Sequence, residues 1–580
     1  MRKLKKVIGL FLAITLMSTS LAACGMLEQE VVNVDETKTT FYVSVRDSGF
    51  RDNWMKALAR GFEKKYENVS FEEGKLGVQV IDEAARNNTG GELRGTIANS
   101  STSVFVVEAM NYTDYVGANL LFNLTDAVKA ELEDGSGTIV SKLDDNSIEY
   151  LTAVDGNYYA LPWLIGFQGL TYDAKLFEEE NLYFADENGT KPFSNSTYTG
   201  KAYTGRGFVN AQNGKKSCGP DGEYDTFDDG LPSSYEEFFY MLDQMYAKGI
   251  DGLIYTGSHA SYLNYLFQGL LLAYAGREQT TYSISFDSGE KTARIITSFN
   301  ENGVPVVENI KINKDNGYLT AQMEGRYYAL KFLEHLHKNE SKYFYAGSSG
   351  AFSNIDAQRV FIESYYNSAY KPVAMLIEGS YWRNEAEDAF IDTANTYIGA
   401  DKRDFKFMSL PIQELGSVTE HNGRAATVAD GFYNYFVVNG NIKNDPVKVE
   451  LATKFIQYCY EDANLQNSTM LSGCPVGVNY EMEKAQYDSM ETYKQSLWDI
   501  YSASRENNNY LSPVSGSKVF YNNFNTFAIS KDSMYFTSTV DGIKYQYPRL
   551  VFNLAQNNTA KDYFEGMKIS QTEWNSYKNQ

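Results

Sequence analysis

Short strand-like and helix-like patterns alternate along almost the whole of this 580-residue sequence. Residues Thr40 to Val45 are β-branched or aromatic, which is typical of a buried strand, and an apolar stripe at i, i+3, i+4 and i+7 begins at Met55. Much later, Asp445-Pro446 supplies an N-cap and a first-turn proline for a helix that runs to about Tyr460. Alternation of this kind predicts an α/β fold with sheets rich in parallel strands.

Intermediate segments continue the alternation. The patterns predict strands at Thr102 to Val107 and Tyr158 to Leu161, and a capped helix at Thr125 to Glu133. At 580 residues the chain is too long for one ordinary core, so we expect at least two. The formal net charge of −22 repels phosphate backbones and anionic surfaces, which argues against nucleic acid partners and strongly acidic substrates.

The N-terminus has the pattern of an export signal. Basic residues from Arg2 onward precede an apolar run from Val7 to Met17, which is too short to span a bilayer. The run ends in Leu21-Ala-Ala-Cys24-Gly25, which resembles the lipobox of bacterial lipoproteins. The resemblance implies a signal peptide at 1–23, a palmitate-type lipid anchor on Cys24 and a flexible tether at 24–38. It places the protein at the cell membrane, facing outside the cytoplasm.

One stretch interrupts the alternation of strands and helices. From about Tyr183 to Gly230 the chain is rich in Gly, Asn, Ser, Thr and Tyr, which predicts a loop-rich insertion at 183–230. The insertion ends before capping-box signals at Ser233 and Ser234, which predict a helix that stops near Lys248.

Four segments in order resemble the family 1 extracellular solute-binding proteins, relatives of maltose-binding protein. They are Val104–Glu108 with Asn119–Asp126, Tyr158–Trp163 with Gly169–Phe177, Ala374–Trp382, and Phe407–Pro411 with Asp430–Tyr433 and the helix from Asp445. The resemblance covers most of the chain after the tether, and it is thinnest at 183–230 and after about Tyr480. None of the four segments is a catalytic motif.

The resemblance implies a two-lobed α/β fold of the periplasmic-binding-protein type II, with a ligand cleft between the lobes. Lobe one is expected at 38–161 plus 411–462, and lobe two at 162–410 plus 463–580. On this basis we expect a monomeric, non-enzymatic receptor of an ABC importer. Such a receptor would capture a sugar or oligosaccharide by closure of the lobes and deliver it to the transmembrane permease subunits, with no required cofactor.

Matching the family segments also gives candidate ligand contacts. Aromatic rings stack on the C–H faces of sugars, and carboxylates accept hydrogen bonds from their hydroxyls. The stacking candidates are Trp382, Trp163 and Tyr381, and the carboxylate candidates are Glu108, Glu378 and Asp430. Tyr, Phe and Trp together are 14% of the chain, which favours a carbohydrate ligand. For each ring, packing in a core is the alternative role.

A separate acidic turn lies at 221–230, with five carboxylates in its first nine residues. So much like charge in one turn is costly unless a hard cation compensates it. The turn is not an EF-hand, because Thr226 stands where that loop needs glycine and Pro232 where it needs glutamate. The sequence suggests a structural Ca²⁺ site, and an exposed acidic turn is the alternative. The candidate ligands are Asp221, Asp225, Asp228 and Asp229.

Two rival functions remain open at this stage. An anchored glycoside hydrolase would also combine aromatic residues with paired carboxylates, but the sequence contains no accompanying catalytic motif. A peptide receptor of the same class is the other alternative. Cys218, Cys459 and Cys474 cannot all pair with one another, and Cys459 fits a buried helix stripe.

Overall fold

The computed structural model describes residues 33–45, 49–82, 90–108, 112–187, 189, 197–211, 213–259, 262–414, 417, 426–428, 434–511, 537–554 and 557–578. Its strands are β1 Thr39–Val45, β2 Val78–Asp82, β3 Val104–Glu108, β4 Ala160–Pro162, β5 Gln168–Asp173, β6 Thr197–Tyr198, β7 Lys201–Ala202, β8 Asp251–Ile254, β9 Ala293–Phe299, β10 Pro305–Ile310, β11 Val373–Gly379, β12 Phe405–Met408, β13 Thr427–Val428, β14 Asn434–Val438, β15 Tyr510–Leu511, β16 Ser538–Val540 and β17 Ile543–Tyr545.

Helices occupy much of the rest of the described chain. They are α1 Asn53–Lys65, α2 Gly90–Asn99, α3 Tyr112–Gly117, α4 Thr125–Lys129, α5 Asp145–Leu151, α6 Ala174–Glu179, α7 Tyr235–Ala247, α8 Leu263–Ser285, α9 Glu324–Lys338, α10 Glu340–Tyr343, α11 Asn354–Glu363, α12 Trp382–Glu385, α13 Glu387–Thr396, α14 Pro446–Cys459, α15 Asp462–Ser472, α16 Lys484–Ser489, α17 Thr492–Glu506, α18 Pro548–Leu554, α19 Ala560–Gly566 and α20 Gln571–Lys578. No helix among the described residues combines the length and the apolar character needed to cross a membrane.

The first lobe is built on a five-stranded sheet with the order β2-β1-β3-β14-β4. Strand β1 pairs in parallel with β2 and β3, whereas β14 runs antiparallel to β3 and β4. Helix α1 buries its predicted stripe, including Met55 and Phe62, in the core of this lobe. Helix α14 also begins as predicted, because the Asp445 side chain accepts a hydrogen bond from the Lys448 backbone N–H.

The second lobe is built on a four-stranded sheet with the order β12-β5-β11-β8. Strands β5 and β11 are buried at every position, so both faces of this sheet are covered. One core includes residues of α7, α8 and α9, and another includes residues of α11 and α17. The α/β fold is as predicted, but both sheets are mixed rather than parallel-rich, because β14 and β5 each run antiparallel to both of their neighbours.

The lobe boundaries differ from the predicted ones on both sides. Helix α15 packs against α1, and residues as far as Val478 lie in the core of the first lobe, although 463–580 was assigned to lobe two. Conversely, the backbones of Ile412 and Gln413 hydrogen-bond to the start of α7 in the second lobe, although 411–462 was assigned to lobe one. The lobe to which a segment belongs depends on which core its buried apolar side chains join. Hydrophobic periodicity shows that a helix has a buried face but does not show which core that face contacts.

The insertion at 183–230 folds onto the second lobe. Tyr183, Phe184, Tyr198 and Phe208 are buried in the larger core of that lobe. The capping box at Ser234 is present, with Glu237 as its acidic partner, and α7 ends at Ala247 as predicted. Helix α4 is shorter than expected: it ends at Lys129, whereas the predicted helix runs to Glu133.

Candidate functional site

Three segments of the chain pass between the lobes. The first joins β4 to β5, the second joins β12 to β14, and the third joins the first core to α17. The first crossing is hydrogen-bonded to β14 and to the third crossing: Trp163 N–H donates to the carbonyl of Asn434 in β14 (2.9 Å), and Gly477 N–H donates to the Trp163 carbonyl (2.9 Å). Ile165 N–H likewise donates to the Pro475 carbonyl (3.0 Å). Short paired segments of this kind are what a hinge between two lobes requires.

Tyr381 lies where the two lobes meet. It follows β11 of the second lobe, yet its ring packs edge-on to Phe50 of the first lobe with centroids 5.6 Å apart. Its hydroxyl is 3.3 Å from the hydroxyl of Tyr265 on α8. A Cβ at Gly166 in the first crossing would lie 3.2 Å from the Tyr381 ring and 3.3 Å from Phe50, so glycine lets both rings approach the hinge.

Two carboxyl groups lie next to Tyr381. Glu378 is buried, and its Oε1 accepts a hydrogen bond from Gly379 N–H (3.1 Å). Glu385 accepts a hydrogen bond from the Gln358 amide (3.1 Å), and a Cβ at Gly49 of the first lobe would lie 2.8 Å from its Oε1. Burial, and after it the charge of Glu385, raise the pKa of Glu378 well above its usual value. Aromatic rings, hydroxyls and carboxyls therefore converge at this junction.

Arg51 connects the lobes beside these groups. Its Nε donates to the Asn384 carbonyl (3.2 Å), and its guanidinium is 3.6 Å from the Glu387 carboxylate. The Arg51 backbone has φ of +58°, in the left-handed region that is costly for residues other than glycine. The Trp54 indole N–H holds the Arg51 carbonyl at 2.8 Å. Sequence reasoning missed Arg51, although a position just after the first strand of an α/β lobe is a common ligand position.

A second contact between the lobes surrounds a polar cavity of about 540 Å³. Asp144 and Asp145 of the first lobe face Arg277 and Tyr282 of α8 across it. The Arg277 guanidinium is 4.0 Å from Asp144 and donates to the Asn508 side chain (2.7 Å). No sequence pattern indicated this cavity, because its lining comes from three segments that are far apart along the chain.

The predicted tryptophans are placed differently from Tyr381. Trp382 is 0% exposed, and its ring contacts four aromatic rings of the second lobe, those of Phe361, Phe390, Phe405 and Tyr493. Trp163 is also 0% exposed, among Trp54, Phe436 and Tyr460 of the first lobe. Both rings therefore differ from the expected sugar-facing position, because neighbouring aromatic residues enclose them.

The remaining predicted contacts are only partly described. Glu108 is the last residue of β3 and pairs with Asn434, but its side chain lies outside the described part of the structure. Asp430 and the anchor residue Cys24 lie outside the described residues altogether. Cys218, Cys459 and Cys474 are free thiols, and Cys459 is buried as predicted.

The acidic turn does not assemble the four carboxylates proposed as Ca²⁺ ligands. Asp221 Oδ1 accepts a hydrogen bond from Glu223 N–H (2.8 Å), and Asp229 Oδ2 accepts one from Asp225 N–H (2.9 Å). Two of the carboxylates are thus used in turns of the loop, and Asp225 is exposed. Within the described ranges, no three side chains of His, Cys, Asp or Glu lie close enough to hold a metal ion. The predicted four-aspartate site is corrected accordingly.

The outer face of the acidic turn forms one wall of a groove of about 1070 Å³. Helices α16 and α17 form the opposite wall, with Trp498 and Asp499 among its residues. Asp499 accepts a hydrogen bond from the Tyr487 hydroxyl (3.0 Å), and burial raises the pKa of Asp499 to about 6. The groove belongs to the second lobe and is separate from the junction at Tyr381.

Comparisons with known proteins find similarity at the level of structure. No protein-family profile matches the sequence, and no curated protein matches it. Among solved structures, the chain is similar to SBP RafE in complex with raffinose (14% identity, 93% of this chain, 100% of that chain, TM-score 0.49). A structure of the apo-form of RafE names Streptococcus pneumoniae as its source.

Two further solved structures are similar to the same extent. One is a chitin oligosaccharide binding protein (14% identity, 93% of this chain, 100% of that chain, TM-score 0.49). The other is the GacH receptor of Streptomyces glaucescens, studied with acarbose (15% identity, 94% of this chain, 100% of that chain, TM-score 0.47). Each TM-score is below 0.5 and each identity is below 25%, so these similarities assign neither a family nor a ligand to this chain.

Proposed function

We propose that this chain is the solute-binding component of an ABC importer, which captures a sugar or oligosaccharide between its lobes and delivers it to membrane permease subunits. The observation that carries the proposal is the position of Tyr381, which reaches from the second lobe to Phe50 of the first, beside the paired first and third crossing segments. A ligand held there touches both lobes, and its contacts favour the closed form.

The chemistry of the junction suits a carbohydrate. The rings of Tyr381 and Phe50 are buried against each other while the lobes are together (7% and 1% exposed), and separation of the lobes would free their apolar faces. The Tyr265 hydroxyl, the Gln358 amide and the Glu385 carboxylate supply polar atoms at the same junction. Sugars need both kinds of partner, because their ring faces carry C–H groups and their edges carry hydroxyls. Trp163 and Trp382 support this junction from the two cores, and Glu108 and Asp430 remain predicted contacts.

Calorimetric titration of the purified protein against a panel of oligosaccharides and peptides tests the proposal. We expect one sugar class to bind and to be recovered unchanged. Tyr381→Ala should weaken this binding at least tenfold, because it removes the ring that spans the lobes. The matched control is Tyr246→Ala, an exposed tyrosine on α7, which should leave the affinity as it was.

The rival functions give different results in the same experiment. Cleavage of a bound oligosaccharide would identify a glycoside hydrolase and reject the receptor. Binding of peptides in place of sugars would keep the two-lobed receptor and change its ligand. If the wild-type protein and Tyr381→Ala bind the sugar equally well, the ligand does not bind at the junction around Tyr381.

The proposal includes a lipid anchor on Cys24 at the outer face of the cell membrane, with the signal at 1–23 removed. Its support is the lipobox-like sequence. Cys24→Ser should release the protein from the membrane fraction of expressing cells, whereas the control Cys218→Ser should leave it there. A Cys24→Ser protein that remains bound would contradict the anchor.

A further inference from the structure

Gln168 is a buried amide without a hydrogen-bond partner in the described part of the chain. It is the first residue of β5 and is 4% exposed. Neither its Oε1 nor its Nε2 forms a hydrogen bond with a described residue. A side-chain amide can donate two hydrogen bonds and accept two, so its burial with none of them made is costly for the folded state. The position therefore calls for a polar partner.

Gln168 lies on the same face of the second sheet as the Tyr381 ring. In the pairing of β5 with β11, it stands directly opposite Gly379, and side chains of opposite residues point to the same face of a sheet. A Cβ at Gly379 would collide with the Tyr381 ring, so that ring occupies this face. The amide is thus a neighbour of the junction at which we propose that the ligand binds.

A small cavity of about 20 Å³ lies beside Gln168, where β5 begins and where β11 and β12 end. The carboxyl ends of strands are the usual place for ligands in α/β sheets. Helix α8 lines the cavity with Gly269 and Ala273. Tyr265, whose hydroxyl is 3.3 Å from that of Tyr381, precedes Gly269 by four residues, so the cavity and the junction share one side of α8. A cavity of this volume holds about one water-sized group.

The lining of the cavity is uncharged. Apart from Gln168 it has one polar side chain, that of Ser409, and its other described residues are small or apolar, among them Phe167, Phe407 and Ile412. A carboxylate or an ammonium group would lose its hydration here without a counter-charge. A hydroxyl can serve either atom of the amide, because it both donates and accepts. The cavity therefore fits a neutral hydroxyl on a short apolar arm.

We infer that Gln168 is a specificity-determining contact, which hydrogen-bonds the hydroxymethyl arm of a neutral hexose unit. The inference rests on the proposed function, because the arm belongs to the sugar held at the Tyr381 junction. The hydroxyl of the arm fills the cavity, and its methylene lies against the apolar lining. An acetamido group is too large for this volume, and the charge of a uronic acid excludes its carboxylate. A pentose unit lacks the arm and leaves the amide unpartnered.

A matched set of sugars tests the ligand side by calorimetric titration of the whole protein. Cellotriose, maltotriose and raffinose carry free hydroxymethyl arms, whereas xylotriose lacks them and trigalacturonic acid has carboxylates in their place. We expect one of the first three to bind about tenfold or more tightly than either of the last two. Xylotriose is the matched probe for cellotriose, because the two differ only in the arms.

Gln168→Leu tests the protein side. It removes both polar atoms at similar size, so binding of the hexose trisaccharide should weaken by about tenfold or more, whereas binding of xylotriose should not change. The Tm without sugar should stay the same or rise, because no hydrogen bond to a described residue is lost. The matched control Gln244→Leu replaces another buried glutamine of the second lobe, on α7, and should keep the affinity. If Gln168→Leu does not fold, Gln168→Met gives the same comparison, because its unbranched side chain adapts to the space.

Four results would overturn the inference. Tightest binding of xylotriose or trigalacturonic acid would show that the ligand needs no hydroxymethyl arm. Equal binding of the hexose by wild type and Gln168→Leu, with a lower Tm for the variant, would mean that a permanently bound water holds the amide. An equal loss for cellotriose and xylotriose would show that the substitution changes the shape of the junction and not the contact with the arm.

The fourth result is that none of these sugars binds, and the wider panel of sugars and peptides then decides on the receptor. In the first three, Tyr381→Ala still tests the junction by itself, so failure of the inference leaves the proposed function standing.

Discussion

Tyr381 and Trp382 are neighbours in the sequence but have opposite surroundings. Tyr381 reaches the other lobe, whereas Trp382 is enclosed by aromatic rings of its own lobe. Trp382→Phe should therefore lower the free energy of unfolding by about 1 to 3 kcal/mol and leave sugar affinity within about twofold. Urea unfolding and calorimetric titration measure the two effects. Lost binding at unchanged stability would instead place the indole against the ligand.

His335 makes stability depend on pH. Its ring packs against Phe239 (4.3 Å between centroids) and Tyr198 (5.1 Å), and burial lowers its pKa from 6.5 to about 4. The nearby Asp243 charge opposes this shift, whereas Lys342 and Lys338 add to it. Because the folded state holds the histidine neutral, its contribution is complete above pH 6.5 and is lost as the pH falls toward 4.

The loss amounts to roughly 3 kcal/mol over this window. His335→Phe keeps an aromatic ring and removes the titration, so its stability should fall less between pH 7 and pH 4.5 than that of wild type. The control is His259→Phe at an exposed position. Urea unfolding at the two pH values gives the comparison, and parallel losses in wild type and His335→Phe would contradict the assignment.

The family resemblance predicted Tyr381, Glu378 and Trp382 as ligand contacts, and for Tyr381 and Glu378 this stays a prediction. The resemblance did not predict that Trp382 is buried. A strand pattern fixes which residues alternate, but the direction of a side chain after the strand depends on the turn and on what packs there. Arg51 was missed because its role comes from contacts across the lobes. Tyr265 was missed because its partner Tyr381 lies far away along the chain.

At the scale of elements, Arg206 joins the insertion at 183–230 to the start of α7. Arg206 donates to the Glu237 carboxylate (2.6 Å and 3.3 Å) and to the Ser233 hydroxyl (3.0 Å) at the start of α7. Arg206→Ala leaves Glu237, which is buried, without this partner. We expect a loss of about 1 to 3 kcal/mol and faster cleavage of the insertion by thermolysin.

Lys215→Ala is the matched control for Arg206. Lys215 lies in the same insertion and pairs with Asp186 (3.1 Å), but its side chain is 62% exposed, so its loss should have little effect. Equal cleavage rates in the two variants would show that Arg206 does not hold the insertion in place.

Local signals predicted the elements well where a few adjacent residues decide them. The capping box at Ser234 and the N-cap at Asp445 are both present in the structure. Helix α4 ended early, because its apolar pattern is short and propensity alone does not fix a helix end. The mixed pairing of the sheets follows from crossings between lobes, which involve residues hundreds of positions apart.

At the scale of the whole molecule, the two-lobed arrangement was predicted through a resemblance and not from composition or periodicity. Helix α15 shows the limit of that prediction. Its sequence fits either lobe, and its contacts with α1 place it in the first. Membership of a lobe depends on which buried faces complement each other in three dimensions, and a single sequence does not report that.

Closure of the lobes gives the last prediction. Arg51 bonds to the Asn384 carbonyl and lies near Glu387, so it stabilises contact between the lobes. Its side chain is 34% exposed, and that of Glu387 is 56% exposed, which limits the contribution to about 1 kcal/mol or less. Because a ligand between the lobes binds the closed form, Arg51→Ala should raise the Kd about two- to fivefold.

Arg359→Ala is the matched control, because Arg359 is an exposed arginine that pairs with Asp392 inside the second lobe (3.3 Å). Small-angle scattering of the unliganded proteins should give a larger radius of gyration for Arg51→Ala only. A weaker Kd with an unchanged radius would mean that Arg51 touches the ligand and does not hold the lobes together. A change in both properties for Arg359→Ala would show that the effect is one of general stability and not of closure.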